Sequence, residues 1–220
     1  MTTATFGNNT GNTYSGTADA FLRENAATTN SNTITLKISK YDVGIHEHSL
    51  LKFTGLSNIP AAAIITNATL YLYVQDQAAA AHTAAVRRLL RNWVETEATW
   101  NIYSTGNNWA TAGGRGAGTD RVDAASASLN MPAATDVWTS VSSAGLIADV
   151  QGFVNGTYPN YGWHLERSSA ANDLKWNEFD SSASTDTIRP YLEVVYQSSL
   201  TQLERGIRGM NRGMNTGGYR

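Results

Sequence analysis

In ATLYLYV (68–74), Ala68, Leu70, Leu72 and Val74 fall on one side of an extended chain, and Thr69, Tyr71 and Tyr73 fall on the other. That period of two marks a half-buried β-strand and excludes a helix, whose apolar residues recur three and four apart. The alternation returns in TITLKISK, where Ile34, Leu36 and Ile38 oppose Thr35 and Lys37. It returns again in PYLEVVY, where Leu192, Val194 and Tyr196 oppose Tyr191, Glu193 and Val195. β-Branched and aromatic residues dominate all three runs, as pleated surfaces favour. Pro60 and clusters of Gly, Asn and Ser separate the runs. One segment, GLIADVQGFVNG, breaks the period. There Leu146, Ile147, Val150, Phe153 and Val154 recur at helical spacing, and Asn155-Gly156 supplies a stop. Many short strands, one short helix and no alternation of strands with long helices predict an all-β antiparallel sandwich.

The two ends differ from this body. Residues 1–16 are mostly Thr, Asn and Gly with Phe6 and Tyr14 isolated among them, and read as an extended arm. The body spans 17–198, and a tail, 199–220, follows. In the tail, Arg208-Gly209-Met210-Asn211 is repeated at once by Arg212-Gly213-Met214-Asn215. Leu200, Leu203, Ile207, Met210 and Met214 form a helical apolar stripe that starts at the capping signal Thr201-x-x-Glu204 and ends at Gly217-Gly218. Gly206, Gly209 and Gly213 each weaken such a helix by roughly 1 kcal/mol relative to Ala, so it is not expected to persist alone in water. The tail is therefore expected to be extended, or to fold as a helix docked on a partner or on its own copies. Leu203, Ile207, Met210 and Met214 are the apolar anchors, and Arg205, Arg208 and Arg212 pair with acidic groups.

Net charge is −2 over 220 residues, and the tail carries +3 of it through Arg205, Arg208, Arg212 and Arg220 against Glu204. The remainder is −5 by difference, the wrong sign for a nucleic-acid-binding body. Without cysteine there is no disulfide, thiolate metal site or thiol nucleophile. No stretch has the apolar length to span a bilayer. MTTATFGNNTGN has no basic region followed by an apolar run, so the expectation is synthesis in a cytoplasm without a signal peptide. Neither a G-x-S-x-G elbow nor a phosphate-binding G-x-x-x-x-G-K-[ST] loop is present, and GGRGAG (113–118) reads as a flexible loop.

Several residues still have chemistry to offer. His46-Glu47-His48 puts both imidazoles on one side of a strand, a spacing used by metal sites, but also reads as a polar strand tip before Leu50. A structural calcium ion is the other cation to consider, with Asp19, Asp173, Glu178 and Asp180 as weak candidates and no EF-hand spacing among them. Glu95 and Glu97 offer the paired carboxylates of glycoside hydrolysis, yet they flank Trp93 and Trp100 and read better as a solvated pair. Sugar binding needs exposed aromatic faces beside amides or carboxylates. NIYSTGNNWATAGG (101–114) supplies Tyr103, Asn107, Asn108 and Trp109, TYPNY (157–161) supplies Tyr158 and Tyr161, and KWNEFD supplies Trp176.

Four ordered blocks resemble the disaggregatase-related (DNRLRE) domains. They are LLKFTGLSNIPAAAIITNATLYLYV (50–74), RNWVETEATWN (91–101), LIADVQGFVNGTYPNYGWHLE (146–166) and IRPYLEVVY (188–196). The pattern departs at Thr54, where family members often carry Asp, and is loose over KWNEFDS (175–181). The resemblance implies a jelly-roll-like β-sandwich, usually an accessory module of secreted or surface proteins, with carbohydrate binding in some members and no implied catalysis. Joined to the missing signal and the anchor-like tail, it leads us to expect a non-catalytic virion protein of the phage head, neck or tail. Such a protein would attach through 199–220 to other virion subunits or to itself and could meet cell-surface polysaccharide. The alternatives are a free or extracellular carbohydrate-binding module and, with least support, a glycan-active enzyme.

Overall fold

The computed structural model describes residues 1–7, 14–31, 35–40, 46–77, 81–167, 175–180 and 186–198. The first strands are β1 (Thr2–Gly7), β2 (Thr17–Arg23), β3 (Thr35–Lys40), β4 (His46–Phe53) and β5 (Ile64–Gln77). Next come β6 (His82–Arg88), β7 (Ile102–Ser104), β8 (Asn107–Asn108), β9 (Ala127–Met131) and β10 (Val137–Ser142). The helix α1 (Ala144–Val154) precedes β11 (Trp163–Arg167), β12 (Lys175–Asp180) and β13 (Tyr191–Gln197). All named pairings are antiparallel. Eleven strands join in the order β1-β13-β5-β12-β3-β4-β11-β6-β9, with β10 added on β5 and β2 on β4, while β7 and β8 form a separate hairpin. The result is an all-β sandwich with one short helix, as the alternating runs predict.

The period-two pattern determines which face each strand buries. Ala68, Leu70, Leu72 and Val74 of β5 are all fully buried, and so are Leu192 and Val194 of β13. They meet Leu51, Phe53, Trp163, Leu165 and Val86 from the opposite layer in one core. The helix covers one end of this core with Leu146, Val150, Phe153 and Val154. Its N-cap is Ser143, whose Oγ accepts from Leu146 N at 3.0 Å. Gln151 ties the helix to β5 by accepting from Ile65 N at 2.9 Å. Thr2–Gly7, within the expected arm, pairs with β13 and so forms an edge strand of the sheet.

A second core lies on the outer side of β2 and β4. There Ala20, Leu22 and Leu50 pack against Leu89, Trp93, Ala98, Trp100 and Trp109 from the long excursion between β6 and β9. Asp120, completely buried, organises that excursion by accepting from the amides of Ala110 (2.8 Å), Thr111 (2.9 Å) and Gly116 (3.0 Å). The loop 113–118, expected to be flexible, is therefore held from inside by a carboxylate in a nest of N–H groups.

The NYG step before β11 is equally structural. Asn160 donates to Phe53 O (2.7 Å) and accepts from Gly162 N (3.1 Å), which locks the turn onto β4. Gly162 has φ +73°, and a Cβ there would collide with the Leu51 carbonyl oxygen. Gly162→Ala is expected to cost about 3 kcal/mol or more through strain and overlap. A lower midpoint in urea unfolding would show it, with a smaller loss of about 1 kcal/mol for Gly156→Ala, whose backbone is also left-handed (φ +76°) but whose Cβ would meet open space.

Candidate functional site

The outward face of β10, β5 and β13 carries the aromatic rings that their buried faces do not use. Trp138 of β10 stands opposite Tyr73 of β5, and Tyr191 of β13 stands opposite Tyr71. The Tyr71 and Tyr191 rings stack at 4.3 Å with only 4° between their planes. Trp138 reaches across β5 and lies edge-to-face with Tyr73 at 5.3 Å and with Tyr191 at 5.4 Å. Its side chain is the exposed member of the group, at 40%. Such offset and perpendicular contacts are favourable for aromatic quadrupoles, and they hold the rings in place. Trp138 also borders an open groove between β10 and the β6–β9 edge, lined by His82, Thr83, Asn130, Met131, Pro132 and Thr139. Thr139 closes its floor by donating to Asn130 O at 2.6 Å.

The residues expected from sequence to stack on sugar are placed otherwise. Trp109 is 5% exposed, belongs to the second core, and donates its indole N–H to Thr99 O at 2.9 Å. Tyr103 is half-buried against it, with ring centroids 5.4 Å apart. Asn107 and Asn108 are exposed at the β7–β8 hairpin, away from any free aromatic face of their own segment. Tyr161 packs against the second core, and its carbonyl accepts from Trp93 Nε1 at 2.8 Å. Tyr158 is exposed, but its ring rests on Gly152 and carries the Arg88 guanidinium 3.8 Å from its centroid, which occupies a face that a sugar would need. Trp176 lies on β12, opposite Ser39, and its side chain is outside the described residues. The anchors Leu203, Arg205, Ile207, Arg208, Met210, Arg212 and Met214 also lie outside them.

The platform Trp138, Tyr71, Tyr73 and Tyr191 was not among the sequence candidates. Two signals were available: Tyr71 and Tyr73 share the outer side of ATLYLYV, and in VWTSVS, Val137, Thr139 and Val141 alternate with Trp138, Ser140 and Ser142, so an indole sits on the polar side of a strand.

The family model of carbohydrate-binding module family 96 matches residues 10–196. The chain belongs to carbohydrate-binding module family 96. No curated protein gives a significant match. A family 96 module with an exposed aromatic platform has the chemistry of a binding protein, since C–H faces of sugars stack on such rings.

The module also holds buried polar groups beneath its 89–123 excursion. His48 and His164 are nearly or fully buried, and both ring nitrogens turn to Gly113 O, His48 Nδ1 at 3.1 Å and His164 Nε2 at 2.9 Å. Those nitrogens lie 3.1 Å apart, and Trp100 covers His48 at 5.1 Å between centroids. His46, the other half of the sequence pair, faces Glu24 at 2.6 Å, so the two imidazoles of His46-Glu47-His48 do not converge. His48, His164 and Glu166 do offer donor atoms within 4.8 Å of one another. The fit to a cation is nevertheless poor. Glu166 Oε1 already accepts from Arg87 Nε and Arg121 Nη2, each at 2.8 Å, so two guanidinium groups neutralise the carboxylate a metal would need. The cluster reads as a clasp holding the Gly113 turn to the sheet.

The two glutamates of the catalytic candidate pair have structural employment. Asp19 is buried, and its amide donates to Glu95 Oε1 at 3.0 Å. Glu97 Oε2 accepts from Thr105 N at 2.7 Å, so the two glutamates bind separate backbone groups instead of facing one substrate. Glu178 and Asp180 are on β12, with side chains outside the described residues, as is Asp173. Among the described residues no helix is long and apolar enough to cross a membrane.

Burial lowers the His164 pKa to about 3, with the nearby Arg121 charge adding to the effect. Burial, and then the neighbouring His164, likewise lowers His48 well below its ordinary value. Both imidazoles are thus neutral in the folded state, whereas the unfolded chain protonates them below about pH 6.5. Their contribution is fully present above that pH and is lost as pH falls toward 3. For His164 alone the loss is about 2 kcal/mol at pH 5. A melting series from pH 7.5 to 4.5 should show a falling Tm, with a shallower fall in His164→Gln.

Proposed function

We propose that the chain binds glycans through the aromatic face formed by Trp138, Tyr73, Tyr71 and Tyr191. The observation that carries this reading is the exposed Trp138, braced by two perpendicular tyrosine rings on the outer face of a carbohydrate-binding module. Flat aromatic surface gives contact area to the C–H face of a sugar, and rigid rings lose little freedom on binding. The groove beside Trp138 adds Asn130, Thr83 and His82 as polar partners. Binding, not turnover, is the activity: the glutamates weighed as a catalytic pair are tied to separate amides.

The test is isothermal titration of the full chain with soluble polysaccharides. Trp138→Ala is expected to weaken binding about tenfold or more, a loss of roughly 1.4 kcal/mol or greater. Tyr158→Ala, at a ring already covered by Arg88, should leave affinity unchanged. The reverse pattern would move the site to the α1–β11 turn.

Within the same proposal, residues 199–220 attach the module to a larger assembly, and a virion is the assembly we favour. Support comes from the helical stripe of Leu203, Ile207, Met210 and Met214. The same proposal includes kinship to the disaggregatase-related domains, supported by the four ordered blocks at 50–74, 91–101, 146–166 and 188–196. Sedimentation and circular dichroism of the full chain should show self-association and added helix relative to a chain ending at Ser198. Two identical monomers would remove self-assembly from the proposal and leave only a foreign partner for the tail.

A further inference from the structure

The strands β1, β2, β9 and β10 each pair with a single neighbour, so they are the edges of the sandwich. Three of these edges are covered. β2 is closed by Glu95, whose Oε1 accepts from Asp19 N at 3.0 Å, and by a bridge between Phe21 and Ser31. β9 and β10 face each other, and Thr139 Oγ1 of β10 donates to Asn130 O of β9 at 2.6 Å. β1 pairs with β13 on one side, and among the described residues nothing is hydrogen-bonded to its other side. It also lacks the features that keep an edge single. Thr2–Gly7 reads TTATFG, with no charged side chain, no proline and no bulge against β13. Its Thr and Phe residues favour a pleated chain. Thr2 and Thr3 are exposed and Ala4 and Thr5 half-buried, so their outer backbone groups are open to a partner.

Such an edge accepts another extended chain through main-chain hydrogen bonds. Two copies of β1 meet without opposing like-charged side chains and close about a two-fold axis, which ends assembly at a dimer. The 199–220 tail suits the edge poorly, because Gly206, Gly209 and Gly213 weaken a strand and its apolar residues recur at helical spacing. We propose that β1 pairs antiparallel with β1 of a second copy, joining two sandwiches through one continuous sheet. Antiparallel pairing sets the two-fold axis perpendicular to the sheet, so the outer faces of both copies point the same way. The strand order across the join is β5, β13 and β1 of one copy, then β1, β13 and β5 of the other. The two β5 strands are therefore about 24 Å apart, at roughly 4.8 Å per strand. Both aromatic platforms share one side of the dimer, and on the glycan-binding reading above a single polysaccharide chain meets both. A bivalent grip of this kind is tighter than that of either platform alone.

Sedimentation equilibrium of the full chain over a dilution series should show a monomer–dimer equilibrium. The double substitution Thr3→Lys/Thr5→Lys should raise its Kd about tenfold or more, because each register centred on Thr3, Ala4 or Thr5 sets the new charges against one another. Position 5 faces Glu193 within the same copy, so this variant keeps β1 on its own sheet, and an unchanged urea midpoint checks that. The chain has no cysteine, so single substitutions report the register. Facing residues of an antiparallel pair point to the same side, and one residue of β1 therefore always meets its own copy. Of Thr3→Cys, Ala4→Cys and Thr5→Cys, one should form a disulfide-linked dimer under mild oxidation faster than the other two. A monomer at every concentration would overturn the proposal. A dimer whose Kd the lysine variant leaves unchanged would overturn it too and assign self-association to another surface. Equal, slow cross-linking at all three positions would mean random collision and count the same way. None of these outcomes touches the platform reading, which the Trp138→Ala titration decides separately.

Discussion

β5 is hydrogen-bonded to β13 and β12 in succession along one side and to β10 on the other, and the rest of the sandwich is arranged around that strand. Its inner residues, Ala68, Leu70, Leu72 and Val74, have no exposed surface, so its register cannot slip by one residue without turning four side chains out of the core. That constraint also determines the outer face. With Leu70 and Leu72 committed inward, Tyr71 and Tyr73 must point outward, and the pairing of β10 and β13 brings Trp138 and Tyr191 beside them. The aromatic platform is thus the reverse side of the core.

The opposite layer solves a different problem. Its outer face would be exposed were it not covered by the 89–123 excursion, which has little regular structure and must satisfy its backbone groups locally. Asp120 does this for three amides at once, and Thr99 Oγ1 accepts from Asn101 N and Ile102 N, each at 3.2 Å. The His48 and His164 pair then fastens the Gly113 turn to the strands beneath. Loop order in this layer comes from side-chain acceptors and donors built into the chain.

Strand and helix identity were legible because both depend on local periodicity. The alternation in ATLYLYV and PYLEVVY reports burial directly, and the helical spacing of Leu146, Val150 and Phe153 reports α1. The site was legible only in part, for a physical reason. Trp109 sits among Asn107, Asn108 and Gly113, which reads as exposed loop, but its burial is against Leu50 and Leu22 of distant strands. Likewise Trp138, Tyr73 and Tyr191 come from three separate strands, and only their pairing order makes them neighbours. An indole on the polar side of VWTSVS was the local hint, and Tyr71 with Tyr73 on the outer side of β5 was the second.

Because the platform rings belong to three adjacent strands, a ligand that grips them also ties those strands together. Binding to the folded chain alone raises stability in proportion to the logarithm of ligand excess. The tie is applied where β10, joined to the sheet through β5, has its outermost ring. The glycan would therefore act on the protein as a removable cross-strand staple, slowing the opening of the β10 edge while it is held and returning that freedom on release.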